Sequence, residues 1–219
     1  NTYAGQTLIR EGTILLTGAG KLGAGAVTLG GLGDATLAYN VTGDNTTANA
    51  IGGTGTITQK GAGIVTLSGA NTYAGTTHVE AGTLKAGSAT AFGTSSVLLS
   101  SGATLDIGNY ALGNAVAVKA GASSALSTAS VTSDGGTLGS LTLGSYSRLN
   151  VTGSMALASG AELTFDMTGV TAGDNALVTL TGGLTVNGTH KLTLSNYETL
   201  TDSGSYSLLT VGTGTLMVG

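Results

Sequence analysis

Residues 1–29 read NTYAGQTLIREGTILLTGAGKLGAGAVTL, and residues 71–99 read NTYAGTTHVEAGTLKAGSATAFGTSSVLL. The stretch from Asn1 to Gly5 returns unchanged as Asn71 to Gly75, and Gly12-Thr13 returns as Gly82-Thr83. Repetition at a fixed offset is typical of solenoids, in which each unit buries its apolar face by stacking on the next one. Residues 61–70 have no counterpart before the first copy, so we expect this chain to be a piece of a longer protein.

The composition favours strands and argues against several classes of partner. The 219 residues include 39 Gly, no Pro and no Cys, and only 8% are charged, whereas an ordinary globular domain has about 25%. Alternating Val, Leu, Ile and Thr indicate strands, and the absence of Cys excludes disulfides and thiolate metal sites. Seven scattered basic residues and a net charge of −4 predict no nucleic-acid partner. No apolar run approaches the roughly 20 residues of a membrane span, so we expect no direct membrane insertion.

Short strands bounded by Gly, Asn or Ser are predicted along the whole chain. The predicted strands are 13–16, 64–67, 83–85, 97–99, 104–107, 116–118, 162–166, 177–180, 191–194, 206–211 and 215–218. We expect no helix of ten or more residues, because no segment between these strands has a helical pattern.

The spacing of apolar residues indicates a coil that turns once in about 20 residues. Two series recur at this interval: Leu84, Leu105 and Leu126 are equally spaced, and Leu16, Leu37, Ile57, Val79 and Leu99 are almost equally spaced. We therefore predict an all-β fold, a parallel β-helix of about ten rungs that lie about 4.8 Å apart. If Leu84 and Leu105 stack, the next residues, Lys85 and Asp106, form a cross-rung pair on the outer face.

Residues 61–84, GAGIVTLSGANTYAGTTHVEAGTL, resemble the passenger-associated repeat of bacterial autotransporters. The matching positions are Gly61, Gly63, Thr66, Leu67, Gly69, Asn71, Thr72, Tyr73, Gly75, Thr77, Gly82 and Leu84. The second half of another copy lies at 1–14, with Asn1, Tyr3, Gly5 and Gly12 at equivalent positions.

The resemblance implies a right-handed, single-stranded parallel β-helix in a secreted passenger. Such a passenger is displayed at the surface of a Gram-negative bacterium, or released, through a C-terminal outer-membrane β-barrel translocator that we expect to lie outside this chain. We treat residues 1–219 as one β-helix segment, in which 1–99 contain the repeats and 100–159 form generic rungs. Residues 160–219 resemble the region that precedes the translocator.

The conspicuous motifs have structural interpretations. We expect Tyr73 to be a packed ring and Asn71 a backbone-capping amide at a corner, with the same roles for Tyr3 and Asn1. Residues 18–23 match G-x-G-x-x-G, but no strand–helix unit surrounds them, so no cofactor is predicted. Residues 30–34 resemble part of a calcium-binding nonapeptide that does not repeat, so no metal is predicted.

No catalytic residues are predicted. The nearest acid pairs, Glu162 with Asp166 and Glu198 with Asp202, are expected to lie on solvated faces rather than to act as an acid–base pair. His78 and His190 are far apart in sequence and lack Cys partners, which argues against a metal site.

The sequence leaves three functions open. The first is a structural stalk segment that supports export and projection of a more N-terminal functional region. The second is an adhesin or self-associating surface that binds host glycan, host matrix or other passenger rods, and the third is a polysaccharide-active β-helix enzyme. Uniform rungs with short turns would favour the stalk, whereas long exposed loops would favour adhesion.

Overall fold

Parallel strands account for the regular structure of the chain in the computed structural model, which describes residues 2–121, 126–168, 170, 177–186, 188–197, 208–211 and 216–218. Each strand pairs with strands from the turns of chain before and after it, and the described pairs are parallel. The parallel β-helix predicted from the sequence is therefore confirmed. Within this part of the chain, no helix is long and apolar enough to cross a membrane.

A nine-stranded sheet forms one side of the solenoid. In spatial order its strands are β2 (Gly12–Thr17), β4 (Ala35–Asn40), β7 (Thr56–Gln59), β9 (Thr77–Val79), β11 (Val97–Leu99), β13 (Ala115–Val118), β15 (Ser140–Leu143), β17 (Glu162–Asp166) and β20 (Lys191–Ser195).

A ten-stranded sheet forms the second side. Its main path runs through β5 (Asn45–Thr47), β8 (Ile64–Leu67), β10 (Thr83–Ala86), β12 (Thr104–Gly108), β14 (Ser127–Leu138), β16 (Ser147–Leu157), β18 (Val178–Leu180) and β21 (Leu209–Val211), and β16 also pairs with β19 (Leu184–Val186), which pairs with β22 (Leu216–Val218).

The third side is a separate sheet only in the first turns; in later turns it belongs to the ten-stranded sheet, where the ends of β14 and β16 pair with each other and then with β19. A three-stranded sheet joins β1 (Thr7–Ile9), β3 (Val27–Leu29) and β6 (Ile51–Gly53). Beyond it the backbone still pairs from turn to turn: Thr72 N donates to Ile51 O at 2.8 Å, and Thr94 N donates to Tyr73 O at 3.0 Å. The predicted strands coincide with observed ones to within one or two residues at the positions that the structure describes; residues 206, 207 and 215 lie outside the described part.

Apolar side chains in register line the interior. One inward row on the ten-stranded sheet contains Val65, Leu84, Leu105, Val131, Val151 and Leu180, each at most 1% exposed. Burial of each such side chain contributes about 1.5–3 kcal/mol. The positions that follow along each strand face solvent and are mainly threonine or charged residues, which explains the period-two alternation of the sequence.

The register corrects three details of the predicted spacing. Leu105 pairs with Val131 rather than with Leu126, which is 45% exposed. Leu16 pairs with Tyr39, and Leu37 belongs to the neighbouring inward row that begins at Ile14. The second apolar series therefore mixes two rows of the core.

The third correction concerns the number of rungs. The longest ladder within the described residues has nine strands, slightly fewer than the predicted ten or so. Later turns are clearly longer than the predicted turn of about 20 residues, because Leu149 pairs with Val178 and Glu162 pairs with Lys191. A longer turn consumes more chain for the same rise along the axis, so fewer rungs form.

Candidate functional site

The segment 69–77, GANTYAGTT, connects β8 to β9 and is called the repeat corner below. Asn71 lies at its centre and is 2% exposed. Its Oδ1 accepts a hydrogen bond from Ile51 N at 2.9 Å, and its Nδ2 donates to Ala91 O at 2.7 Å. Ile51 belongs to the preceding turn and Ala91 to the following one, so one amide joins three consecutive turns of the solenoid.

Tyr73 extends this connection into the core. The ring is fully buried, and its hydroxyl forms a 2.6 Å hydrogen bond with the Thr77 hydroxyl, which is 2.8 Å from Ser95 Oγ on the next turn. Burial raises the pKa of Tyr73 to about 12, against the lowering effect of these hydrogen bonds. The first copy repeats the contact between Tyr3 and Thr7, whereas Asn1 lies outside the described residues.

Four glycines of the repeat are required by close approach to the preceding turn. At Gly61, Gly63, Gly69 and Gly75, an added Cβ would lie 2.0–2.3 Å from the carbonyl oxygen of the residue stacked below it on that turn. Real Cβ atoms do not approach a backbone oxygen so closely, so only glycine lets these corners stack on the turn below.

The other repeat positions divide between core, corner and surface. Leu67 and Leu84 are fully buried, and Thr72 is exposed. Gly82 and its counterpart Gly12 both have positive φ angles, 61° and 77°, a conformation that suits glycine at a tight turn. Gly5 has open space where a Cβ would lie.

Lys85 and Asp106 lie side by side on adjacent rungs, since Leu84 pairs with Leu105 and Lys85 with Asp106. Lys85 Nζ is 2.8 Å from Asp106 Oδ2. The hydrogen bond to Asp106, and then the charge of that carboxylate, raise the pKa of Lys85. The pair is partly exposed, and such pairs contribute only about 0–1 kcal/mol.

Two more ion pairs have the same cross-rung geometry. Lys60 Nζ lies 3.6 Å from Glu80 Oε2, and Lys191 Nζ lies 2.9 Å from Glu162 Oε1. The hydrogen bond from Lys191, with a second one from Thr193, lowers the pKa of Glu162. Three pairs of opposite charge on the outer face thus join neighbouring turns.

Sequence reasoning missed two asparagines whose side-chain amides donate to backbone carbonyls of the preceding turn, as Asn71 donates to one of the following turn. Asn49 Nδ2 lies 2.6 Å from both Gly23 O and Gly25 O, and Asn114 Nδ2 donates to Ser95 O at 2.8 Å. Both follow a small residue and precede an alanine, as ANA at 48–50 and GNA at 113–115. An asparagine between two small residues at a corner is the sequence pattern that could have predicted both contacts.

The acid pair Glu162 and Asp166 is occupied by structural contacts. Burial alone would raise the pKa of Asp166, but hydrogen bonds from Asn196 and from the backbone N–H of Thr168 lower it. Glu162 is held by Lys191, so neither carboxyl is arranged as a proton donor. The second predicted pair, Glu198 and Asp202, lies outside the described residues.

The histidines are separate in the structure as in the sequence. His78 is on the outer face of β9, paired in register with Thr58 and Leu98, and His190 lies next to β20. The described part of the chain contains no group of three or more His, Cys, Asp or Glu side chains able to hold a metal ion.

Comparison with known proteins supports the family resemblance. A model of the passenger-associated-transport-repeat family matches residues 1–16 and 57–86, which include both copies of the repeat. The chain is also 47% identical over 60 residues to the adhesin BmaC autotransporter of Brucella suis biovar 1 (strain 1330), a match that covers 26% of this chain and 2% of that relative. No significant match was found among solved structures. The resemblance noted in the sequence is confirmed, and it places the chain at the bacterial surface or in the secreted fraction.

Proposed function

We propose that this chain, a segment of an autotransporter passenger with passenger-associated transport repeats, is a structural stalk. It supports export and projects a more N-terminal functional region away from the outer membrane. The observation that carries the proposal is the Asn71 amide, which joins three consecutive turns. The most characteristic residues of the repeat are therefore used to attach one turn to the next.

Stacking of turns supplies a physical mechanism for export. A new turn that emerges outside finds backbone acceptors, an apolar row and partner charges already ordered on the turn before it. Each added turn buries several apolar side chains at about 1.5–3 kcal/mol each, so return of the chain becomes unfavourable once a rung has formed. We propose that the chain is exported through a C-terminal outer-membrane translocator, which is its partner in this process.

The test uses the full-length protein in its own bacterium. Asn71→Ala should lower the amount of passenger that external protease can reach and should raise the periplasmic amount, whereas Asn150→Ala, at an exposed outward position of β16, should change neither. Normal display of the Asn71 variant, despite a measured loss of stability in the purified chain, would overturn the proposal.

Adhesion is the second candidate function. Two observations favour it: the matched Brucella relative is named an adhesin, and the connection between β3 and β4 is an exposed loop rather than a short turn. Purified chain should then compete with intact bacteria for binding to host cells. Enzymatic turnover of polysaccharide is not expected, because Glu162 and Asp166 are engaged in structural contacts.

A further inference from the structure

The connection between β3 and β4 is longer than its neighbours in the stack. It contains the five residues 30–34, whereas β1–β2 and β6–β7 are each joined by two. The loop is anchored to the preceding turn, because Gly30 N donates to Ile9 O at 2.8 Å and Leu32 N donates to Arg10 O at 3.2 Å. Leu32 is 70% exposed, the highest value among the large apolar side chains of the described residues.

A groove lies on each side of this loop. The groove toward the first rung has a volume of about 440 Å³, and its lining includes Leu8, Arg10, Glu11, Thr13 and Leu32. The groove toward the third rung has a volume of about 360 Å³ and is lined by the loop residues 33–34 together with Ala35, Thr36, Thr54, Gly55 and Thr56. Both grooves are open to solvent rather than enclosed.

A row of hydroxyl groups connects the two grooves. Thr13 pairs with Thr36, and Thr36 pairs with Thr56, so the three side chains point outward from successive rungs about 4.8 Å apart. Each hydroxyl both donates and accepts hydrogen bonds. The Asp34 carboxylate adds a stronger acceptor at one side of the row.

We propose that this surface, called the loop surface and comprising Leu32, Asp34, Thr36, Thr54 and Thr56, binds a neutral glycan. Sugar hydroxyl groups donate to the Asp34 carboxylate and exchange hydrogen bonds with the threonines, and the apolar C–H face of a sugar ring packs on Leu32. The inference rests on adhesion, the second candidate function above, and assigns it to a site.

The charges of the loop surface select against anionic glycans. Asp34 and Glu11 lie at the two grooves, and Arg10 is the one cation that lines either of them within the described residues. A uronate, sulfate or sialate group would meet an excess of negative charge there, whereas a neutral ring would not. Neutral oligosaccharides should therefore bind better than anionic ones of the same length.

The experiment titrates the whole 219-residue chain with triacetylchitotriose, cellotriose, mannotriose and lactose, and with trigalacturonate as the anionic counterpart, by saturation-transfer NMR. At least one neutral sugar should bind with a Kd in the millimolar range, at a free energy of about −4 kcal/mol. Asp34→Asn, Thr56→Val and Leu32→Ala should each weaken that binding by about tenfold.

Two variants serve as matched controls. Asp44→Asn changes an exposed carboxylate in the next connection, between β4 and β5, and Thr142→Val changes an exposed outward threonine of β15; neither should alter binding. Unchanged thermal melting of every variant would show that the fold is intact.

Several results would overturn the proposal. They are no neutral sugar bound at about 10 mM, tighter binding of the anionic trisaccharide, or equal losses in the control variants. Sugar binding that survives all three loop-surface substitutions would reject the site and leave adhesion standing. Failure of the chain to compete with bacteria for host cells would instead reject adhesion itself.

Discussion

Replacement of Asn71 by alanine tests whether the repeat corner attaches one turn to the next. The change removes two hydrogen bonds, of 2.9 Å to Ile51 N and 2.7 Å to Ala91 O, from a side chain that is 2% exposed. Each buried backbone group left without a partner costs about 1–3 kcal/mol, so for the two groups we expect a loss of about 2–6 kcal/mol in the free energy of unfolding. Such a loss is a large part of the roughly 5–15 kcal/mol that is typical of a protein domain.

Urea denaturation monitored by circular dichroism measures this loss. Asn150→Ala is the control, because Asn150 lies outward between Ser130 and Thr179 and surface substitutions usually change stability by about 0.5 kcal/mol or less. If the two asparagine variants had equal urea midpoints, the Asn71 amide would not join the turns as argued.

A second substitution at the same site separates the two hydrogen bonds. Asn71→Asp keeps an acceptor for Ile51 N but at neutral pH places a carboxylate against Ala91 O. Burial and this carbonyl raise the carboxyl pKa in the folded state. The protonated carboxyl can again donate to Ala91 O, so the variant should recover stability as the pH falls toward about 4 and lose it as the pH rises. An effect independent of pH would contradict the assigned donor.

The remaining predictions address register, pH, shape and metal. Leu105→Asp should cost several kcal/mol because it places an unpaired carboxylate in the apolar row, whereas Asp106→Leu should cost about 1 kcal/mol or less; near-equal losses in urea midpoint, or a greater loss for Asp106→Leu, would contradict this assignment of the two faces. Wild-type stability should fall as the pH rises from about 10 through 12, because the unfolded state releases the Tyr73 proton first. Ionisation of Tyr73 should lower the free energy of unfolding by about 2–3 kcal/mol over this range. Tyr73→Phe should remove this part of the pH dependence. Small-angle scattering should show an elongated particle, since nine strands about 4.8 Å apart span about 40 Å along the axis, and a spherical particle would contradict the fold. EDTA should leave the melting temperature unchanged, and a drop of several degrees would reveal a metal site.

The repeat corner shows how far sequence reasoning reaches. The roles expected for Asn71 and Tyr73 at a corner follow from residue chemistry, since an amide at a turn binds backbone groups and a tyrosine in a repeat packs its ring inward. The identity of their partners does not follow, because Ile51, Ala91 and Ser95 belong to other turns. Only the register of those turns brings them within hydrogen-bonding distance.

The predicted period holds where turn lengths are constant and fails where they vary. Leu84 and Leu105 pair because the turn between them has the predicted length. Leu126 does not continue the row, because the next turn is longer and Val131 takes its place. A period read from sequence assumes equal turns, and an insertion in a corner leaves the strand pattern unchanged while it shifts every later residue.

The sequence by itself determined the class of fold, about half of the strands and the family resemblance, because these depend on local alternation, on glycine-rich corners and on a repeated motif. Tertiary structure alone decided which residues share a row, where the cross-rung ion pairs lie, and that the loop at 30–34 stands between two grooves. These features arise from contacts between residues about 20 to 30 positions apart. Such contacts depend on the accumulated length of every turn between the residues, which no local pattern records.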